Sequence, residues 1–375
     1  MGSRFVRQEN LQPSPRLIRP RYHRSTVLKR ALLFALILVP LLAQAPTQAP
    51  PPKDTIFRTE AKEVIVPVTV TDEKGRFVSN LDAKDFRIFD EGKEQKIDYF
   101  SRERSQPVVV GFLLDMSNNM RIHWKTYQDA VIELIQGLLP GDKRYNGYLI
   151  TYGNDAELVV NTTNDPETMV QKIQAFKPGG GAALFDAIYK SCTTRSLIHG
   201  EPYEPRRVIV IVGDGHDTAS KRGLNEVLEL AQRNLVTIYA VSTAAFGFKS
   251  DGEENLTALT EQTGGRVETP LNNLYQDVSG YLSTPSDEGN YAYKVGTGGY
   301  AAEISNGIIK AVGHIAGEVT TQYIIRYIPD TANQKFTTKD FRKLKVTVPS
   351  LPGVKIRYRL GYYPNPVGGG AESSK

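Results

Sequence analysis

Val108-Val109-Val110-Gly111-Phe112-Leu113-Leu114-Asp115-Met116-Ser117-Asn118-Asn119-Met120 decides the fold. Its first seven residues carry no polar side chain, so the segment reads as a strand buried on both faces, as strands of parallel sheets are. Where the apolar run stops, Asp115, Ser117 and Asn119 put a carboxylate, a hydroxyl and an amide at alternate positions. Alternate residues of a tight loop can converge on one point, which makes this strand end a candidate site.

Outward from this strand the chain alternates strands with helices. Apolar runs predict further buried strands at 147–152, 208–212 and 236–241, with weaker edges at 157–160 and near 266–269. Amphipathic spacing predicts helices over 124–138, 167–176, 183–197, 224–233 and 255–263. This order implies a doubly wound, mainly parallel α/β sheet, in which ligands sit beyond the carboxyl ends of the strands. Val208 to Val212 runs into Gly213-Asp214-Gly215-His216-Asp217, which brings a second carboxylate to the same edge. Between the two strands, Pro178-Gly179-Gly180-Gly181-Ala182-Ala183 opens a helix with a glycine-rich turn.

Three such loops in this order resemble the metal-ion-dependent adhesion site of von Willebrand factor type A domains, over roughly 107–282. The fold so implied is a Rossmann-like sheet. The family pattern is D-x-S-x-S in the first loop, Thr in the second and Asp in the third. Asp115, Ser117 and Asp214 match it. Asn119 replaces the last Ser, keeping an oxygen donor on a longer side chain, and Ala182 stands at the second-loop position with no donor at all. The resemblance implies a Mg²⁺ held by Asp115, Ser117, Asn119 and Asp214. Mg²⁺ takes about six oxygens, so water or a partner's carboxylate must fill the missing places. A purely structural role, with Asp115 and Asp214 accepting loop N–H groups, stands beside that reading.

The flanks have a different grammar. Val64, Val66, Val68 and Val70 alternate with Ile65, Pro67, Thr69 and Thr71, the period of a half-buried strand, and strands at 85–89 and 96–100 surround the turn Asp90-Glu91-Gly92-Lys93, giving a β module over 56–106. A Gly-, Ser- and Asp-rich stretch at 283–300 reads as a loop. The remainder, 301–364, reads as a helix to about Glu318 and strands at 322–328, 344–348 and 355–358. Both ends need a partner sheet, so they are expected to pair into one small β domain, before a disordered tail at 365–375. The flanks, including Phe86 to Gln95 and Leu360-Gly361-Tyr362-Tyr363, resemble a bacterial family of secreted proteins related to type A domains.

Charge and the leader point to export. Of 46 basic residues, eight fall within residues 1–30, where Glu9 is the lone acid; after residue 45, 38 basic face 40 acidic side chains. The pI near 9 therefore belongs to the leader. No basic surplus remains to drive nucleic-acid binding. The apolar run 31–43 is short of the ~20 residues that span a bilayer and precedes Ala43-Gln44-Ala45, so 1–45 reads as a cleaved signal peptide. A Pro-rich linker follows at 46–55, and no stable membrane span is expected after cleavage. The single Cys192 can form no internal disulfide and lies on an apolar helical face, as a small buried residue would.

Other chemistry lacks candidates. There is no H-E-x-x-H, no Cys/His cluster and no nucleophile elbow, and Gly296-Thr297-Gly298-Gly299-Tyr300-Ala301 follows a short, polar strand at 291–295 that falls outside the βαβ series a dinucleotide site needs. The expectation is a non-enzymatic, exported protein, periplasmic or extracellular, that binds a protein or cell-surface ligand. A scaffold with a decayed site is the alternative, and a metal-assisted envelope hydrolase using Asp115, Asp214 and His216 is the minor one.

Overall fold

The computed structural model describes residues 63–102, 107–121, 124–194, 197, 206–243, 251–270, 297–330 and 340–364. The leader, the linker, the tail and most of the 283–300 stretch lie outside the described residues. Four strands come first: β1 (Val64–Thr71), β2 (Arg87–Asp90), β3 (Lys93–Gln95) and β4 (Tyr99–Ser101). The α/β series follows, with β5 (Val108–Asp115), α1 (Trp124–Leu138), β6 (Tyr145–Tyr152), β7 (Ala156–Thr163), α2 (Pro166–Gln174), α3 (Leu184–Thr193) and β8 (Arg206–Gly213). It continues through α4 (Leu224–Arg233), β9 (Val236–Ser242), α5 (Asp251–Thr263), β10 (Val267–Glu268) and α6 (Thr297–Thr320). β11 (Tyr323–Tyr327), β12 (Arg342–Thr347), β13 (Lys355–Tyr358) and β14 (Gly361–Tyr362) close the described chain.

The central sheet has the order β10-β9-β8-β5-β6-β7, parallel except for β7, which returns antiparallel along β6. All eight residues of β5 are buried. Successive side chains of β5 enter opposite layers, because side chains alternate across a strand. Val109 and Leu113 meet α3, α4 and α5 through Leu184, Ile188, Val227, Leu256 and Leu259. Val110, Phe112 and Leu114 meet Val131, Leu134 and Ile135 of α1, Met169 and Ile173 of α2, and Ile315 and Val319 of α6. The sheet is thus covered on both faces, which is why its central strands carry no polar alternation. Cys192 lies in the first of these layers, where burial pushes its thiol up to about 12.

The two ends of the chain interleave in two further sheets. β1 pairs with β11 and β13, and β11 with β4, in the order β13-β1-β11-β4. The second sheet has the order β14-β12-β2-β3. Val64, Val66, Val68 and Val70 pack with Ile88, Ile325, Leu344 and Val346 between them. Buried Glu318, at the end of α6, accepts from Arg266 of the α/β unit at 3.3 Å and from Arg357 of β13. One carboxylate therefore ties the β domain to the central sheet.

Several boundaries depart from the sequence reading; α5, for instance, begins at Asp251 rather than at 255, and β7 runs over Ala156–Thr163 rather than 157–160. The hairpin expected between 85–89 and 96–100 is tighter: β2 and β3 join through Glu91 and Gly92, whose φ values of 51° and 79° close a two-residue turn. Such turns need positive φ at both central positions, and the register follows from them. The helix expected over 183–197 ends at Thr193, with Thr194 in extended backbone. α6 begins at Thr297, inside the stretch read as a loop, and its far end reaches the β domain, where Gly317 lies against the ring of Phe77.

Candidate functional site

β5 and β8 are hydrogen-bonded neighbours, so their carboxyl ends deliver Asp115 and Asp214 side by side at one edge of the sheet. The first loop turns at once after Asp115. Its Oδ1 accepts the Ser117 N–H at 2.7 Å, and a short 3-10 turn, Asn118–Arg121, follows. Met120 anchors this turn from beneath: it is buried, and the Thr243 hydroxyl donates to its sulfur at 3.5 Å. The glycine-rich second loop is stitched to the first by backbone bonds, Gly179 N–H to Met116 O at 2.7 Å and Asn118 N–H to Gly180 O at 3.1 Å. Gly180 takes a φ of 101°, a conformation that suits glycine.

The third loop is tied to both of its neighbours. Asp214 Oδ1 accepts the His216 N–H at 3.0 Å. Gly215, at φ 81°, lies flat on the first turn of α5, where an added Cβ would come within 2.1 Å of the Gly252 carbonyl oxygen. Asp217 accepts the Phe185 N–H of α3 at 2.9 Å, while the Ser220 hydroxyl accepts that of Asp186 at 2.9 Å. These two side chains cap the N-terminus of α3 and are committed there.

All four sequence-predicted residues meet at this edge, in unequal condition. Asp115 is fully buried, and its Oδ2 has no hydrogen-bond partner among the described residues. The Ser117 hydroxyl is buried beside the same carboxylate, helps to lower its pKa, and meets no partner at full hydrogen-bonding geometry. Burial pushes the Asp115 carboxyl up to about 6; the Ser117 N–H opposes this, and the charge of Asp214 adds to it. Asn119 reaches Asp214 with its amide nitrogen, 2.8 Å from Oδ2, so the group facing the carboxylate is a donor. His216 Nδ1 stands 3.2 Å from the same oxygen, on a partly exposed side chain.

Ala182 explains itself by its surroundings. Its methyl group belongs to the apolar layer beneath the loop, with Leu184 and Ile211. Its N–H donates to Thr218 Oγ1 at 3.0 Å. The hydroxyl nearest the second loop thus comes from the third, as an acceptor already in use.

Residues outside the predicted set complete the site. Tyr152, the last residue of β6, is fully buried with an unpartnered hydroxyl. A Cβ added at Gly213 would stand 2.3 Å from that hydroxyl and 3.0 Å from Asp115 Oδ2, so the bare backbone of Gly213 lets the two approach. Burial holds the phenol well above its ordinary range, reinforced by the charges of Asp115, Asp214 and Asp217. Asn154, in the loop after β6, accepts the Gly181 N–H at 2.7 Å. The available signal was the edge itself, since β6 is parallel to β5 and ends beside it.

Buried, unpartnered oxygens on Asp115 and Ser117 suit a small hard cation, which prefers oxygen ligands. Among the described residues no three His, Cys, Asp or Glu side chains form a group that could hold a metal ion. A cation here would therefore rest on Asp115, Ser117 and Asp214, with water or a partner for its remaining places.

A family model described as von Willebrand factor type A domain matches residues 110–274. Similar solved structures include an aerotolerance-related membrane protein from Bacteroides fragilis, 17% identical, covering 46% of this chain and 96% of its own, with a TM-score of 0.35. BatB from Bacteroides thetaiotaomicron is also 17% identical, covering 46% of this chain and 97% of its own, with a TM-score of 0.35. Proximal thread matrix protein 1 from the mussel byssus, solved with a zinc-occupied MIDAS motif, is 14% identical, covering 48% of this chain and 46% of its own, with a TM-score of 0.36. No curated protein matches the chain.

Proposed function

We propose, from the premise that residues 110–274 form a von Willebrand factor type A domain, that this chain is an exported, non-enzymatic binding protein. Domains of this type serve protein–protein interaction and adhesion, and here the loop face around Asp115 and Asp214 would meet a protein or surface ligand. One observation carries the reading: at the meeting point of three loops, Asp115 Oδ2 and Ser117 Oγ are buried without partners. Buried polar atoms are nearly always satisfied, so those that are not call for an ion, water or incoming group.

Asp115, Ser117 and Asp214 would hold the cation, with Mg²⁺ the choice that fits oxygen donors. Bound there, the cation would supply an open coordination position to a partner's carboxylate. The chain's own residues fix the geometry. The Ser117 N–H orients Asp115, the His216 N–H orients Asp214, and Met120 holds the first loop to the sheet. Export rests on the leader and on the near-neutral balance of the chain after it. An enzyme would need a nucleophile or an acid–base pair aimed at a common point, whereas His216 Nδ1 is turned to Asp214.

Capture from envelope extracts by the full chain, with and without chelator, tests this. The expected result is a ligand retained by the parent with Mg²⁺ and released by chelator and by Asp115→Ala. Capture indifferent to both changes would move the function to other surfaces and favour the scaffold. Turnover of ester or peptide substrates would establish an enzyme instead.

A further inference from the structure

We propose that Asn119 is a gate on the cation site: its amide N–H₂ occupies the edge of Asp214 that a cation would use, so loading the site requires this side chain to leave. The inference rests on the reading of Asp115, Ser117 and Asp214 as cation-holding residues, and adds which residue of this chain sets the threshold for filling them.

Both carboxylates are at one edge, yet their oxygens differ. Asp115 Oδ2 is unpartnered, whereas Asp214 Oδ2 receives Asn119 Nδ2 at 2.8 Å, with the partly exposed His216 Nδ1 farther off at 3.2 Å, and Asp214 Oδ1 receives a backbone N–H. A hydrogen bond donated to a carboxylate is among the stronger neutral-to-charged contacts, and it neutralises part of the charge that would attract an ion. An amide nitrogen cannot ligate the ion while it donates. The same side chain could offer Oδ1 only after its amide turns over, which ends the bond to Asp214.

The surroundings favour movement of the side chain without movement of the loop. Asn119 is exposed, whereas its neighbour Met120 is buried and hydrogen-bonded through sulfur. Ser117 on the other side is held by Asp115. The backbone is thus fixed at both ends of a swinging amide. Ala182 adds no ligand to compensate, so the affinity of the site depends strongly on whether Asn119 holds or releases Asp214.

Asn119→Ala separates a gate from a ligand, because it removes the amide and adds no donor. Titration of the full chain with Mn²⁺ and Mg²⁺ by calorimetry should show the variant binding about tenfold more tightly than the parent, as loss of one charge-assisted hydrogen bond predicts. Asn119→Ser should bind at least as tightly as Asn119→Ala, and Asp115→Ala should not bind. Equal or weaker binding by Asn119→Ala overturns the gate and leaves the cation site standing. No binding by any of these proteins overturns both. Side-chain amide NMR gives an independent reading: the Asn119 N–H₂ signals should move on saturation with Mg²⁺ and should move likewise in metal-free Asp214→Asn. Signals that stay in place while metal binds would also overturn the proposal.

Discussion

Asp90 and Asp115 are both fully buried aspartates at the ends of β-strands, and they are treated in opposite ways. Asp90 Oδ1 accepts from Arg342 through Nε at 3.0 Å and Nη2 at 2.9 Å, and its Oδ2 accepts from the hydroxyls of Tyr327 at 3.0 Å and Tyr362 at 2.9 Å. Four donors and a full positive charge surround it. These partners come from β11, β12 and β14, so one carboxylate pins both sheets of the β domain. Among the described residues, Asp115 has backbone N–H groups but no positive charge beside it, an oxygen without a partner at full hydrogen-bonding geometry and a like charge for a neighbour. The chain closes the Asp90 carboxylate on itself and leaves the Asp115 carboxylate open.

The largest test of this contrast is Arg342→Met. It removes the counter-charge of Asp90 while keeping much of the volume, so urea unfolding should show a loss of about 3–5 kcal/mol, as breaking a buried pair does. A loss below 1 kcal/mol would mean that the network is not what joins the sheets. Gly213→Ala comes next. Its Cβ would collide with the Tyr152 hydroxyl at 2.3 Å and with Asp115 Cβ at 2.8 Å, which predicts a cost of about 1–3 kcal/mol from overpacking. Retention of parental stability would show that the floor of the site is looser than described.

The alkaline limb of the stability curve is a smaller test. Burial, together with Asp90, holds Tyr327 and Tyr362 protonated above their ordinary value of about 10, and Tyr362 adds to the shift of Tyr327. The unfolded chain therefore gives up these protons first, so it binds fewer of them and stability falls as pH rises beyond about 10. Tyr327→Phe should flatten that fall in urea midpoints measured from pH 8 to 11; an unchanged slope would assign it to other groups. The smallest expected change has the opposite sign. Asp115→Asn keeps the shape and removes a charge with no counter-charge, so at pH 7 without metal its stability should equal the parent's or exceed it by about 1 kcal/mol. A clear loss would place Asp115 in the same class as Asp90.

Fold and site were legible to different depths. The continuous apolar run of β5 and the matching run of β8 carried the parallel sheet, and the polar residues at their ends carried the pair Asp115 and Asp214. Spacing along the chain could do this because each strand places its own end. It could not show that Tyr152 and Asn154 reach the same edge from β6, since such meetings are set by which strands become neighbours. The direction of the Asn119 amide was equally hidden: an asparagine offers an oxygen and a nitrogen, and only the position of Asp214 selects the donor. In the β domain, Val64 to Val70 announced a half-buried strand and the lack of a local partner sheet announced its pairing with the far end of the chain, but not which strands would adjoin it, β11 on one side and β13 on the other. The register of β2 against β3 depended on the positive φ of Glu91, a conformation unusual for that residue.

The interleaved sheets also set an order of assembly. Tyr327 and Asp90 are 237 residues apart in the chain, so β1 to β4 stay without most of their hydrogen-bonding neighbours until the last strands have been made. The entropy of closing a loop grows with its length, and a loop already condensed into a folded unit is effectively short. Folding of the central sheet first would bring residue 107 and the end of α6 close together and hand the two halves of the β domain to each other. On that order the β domain would form last and act as a clasp, closed when β11 to β14 meet β1 to β4.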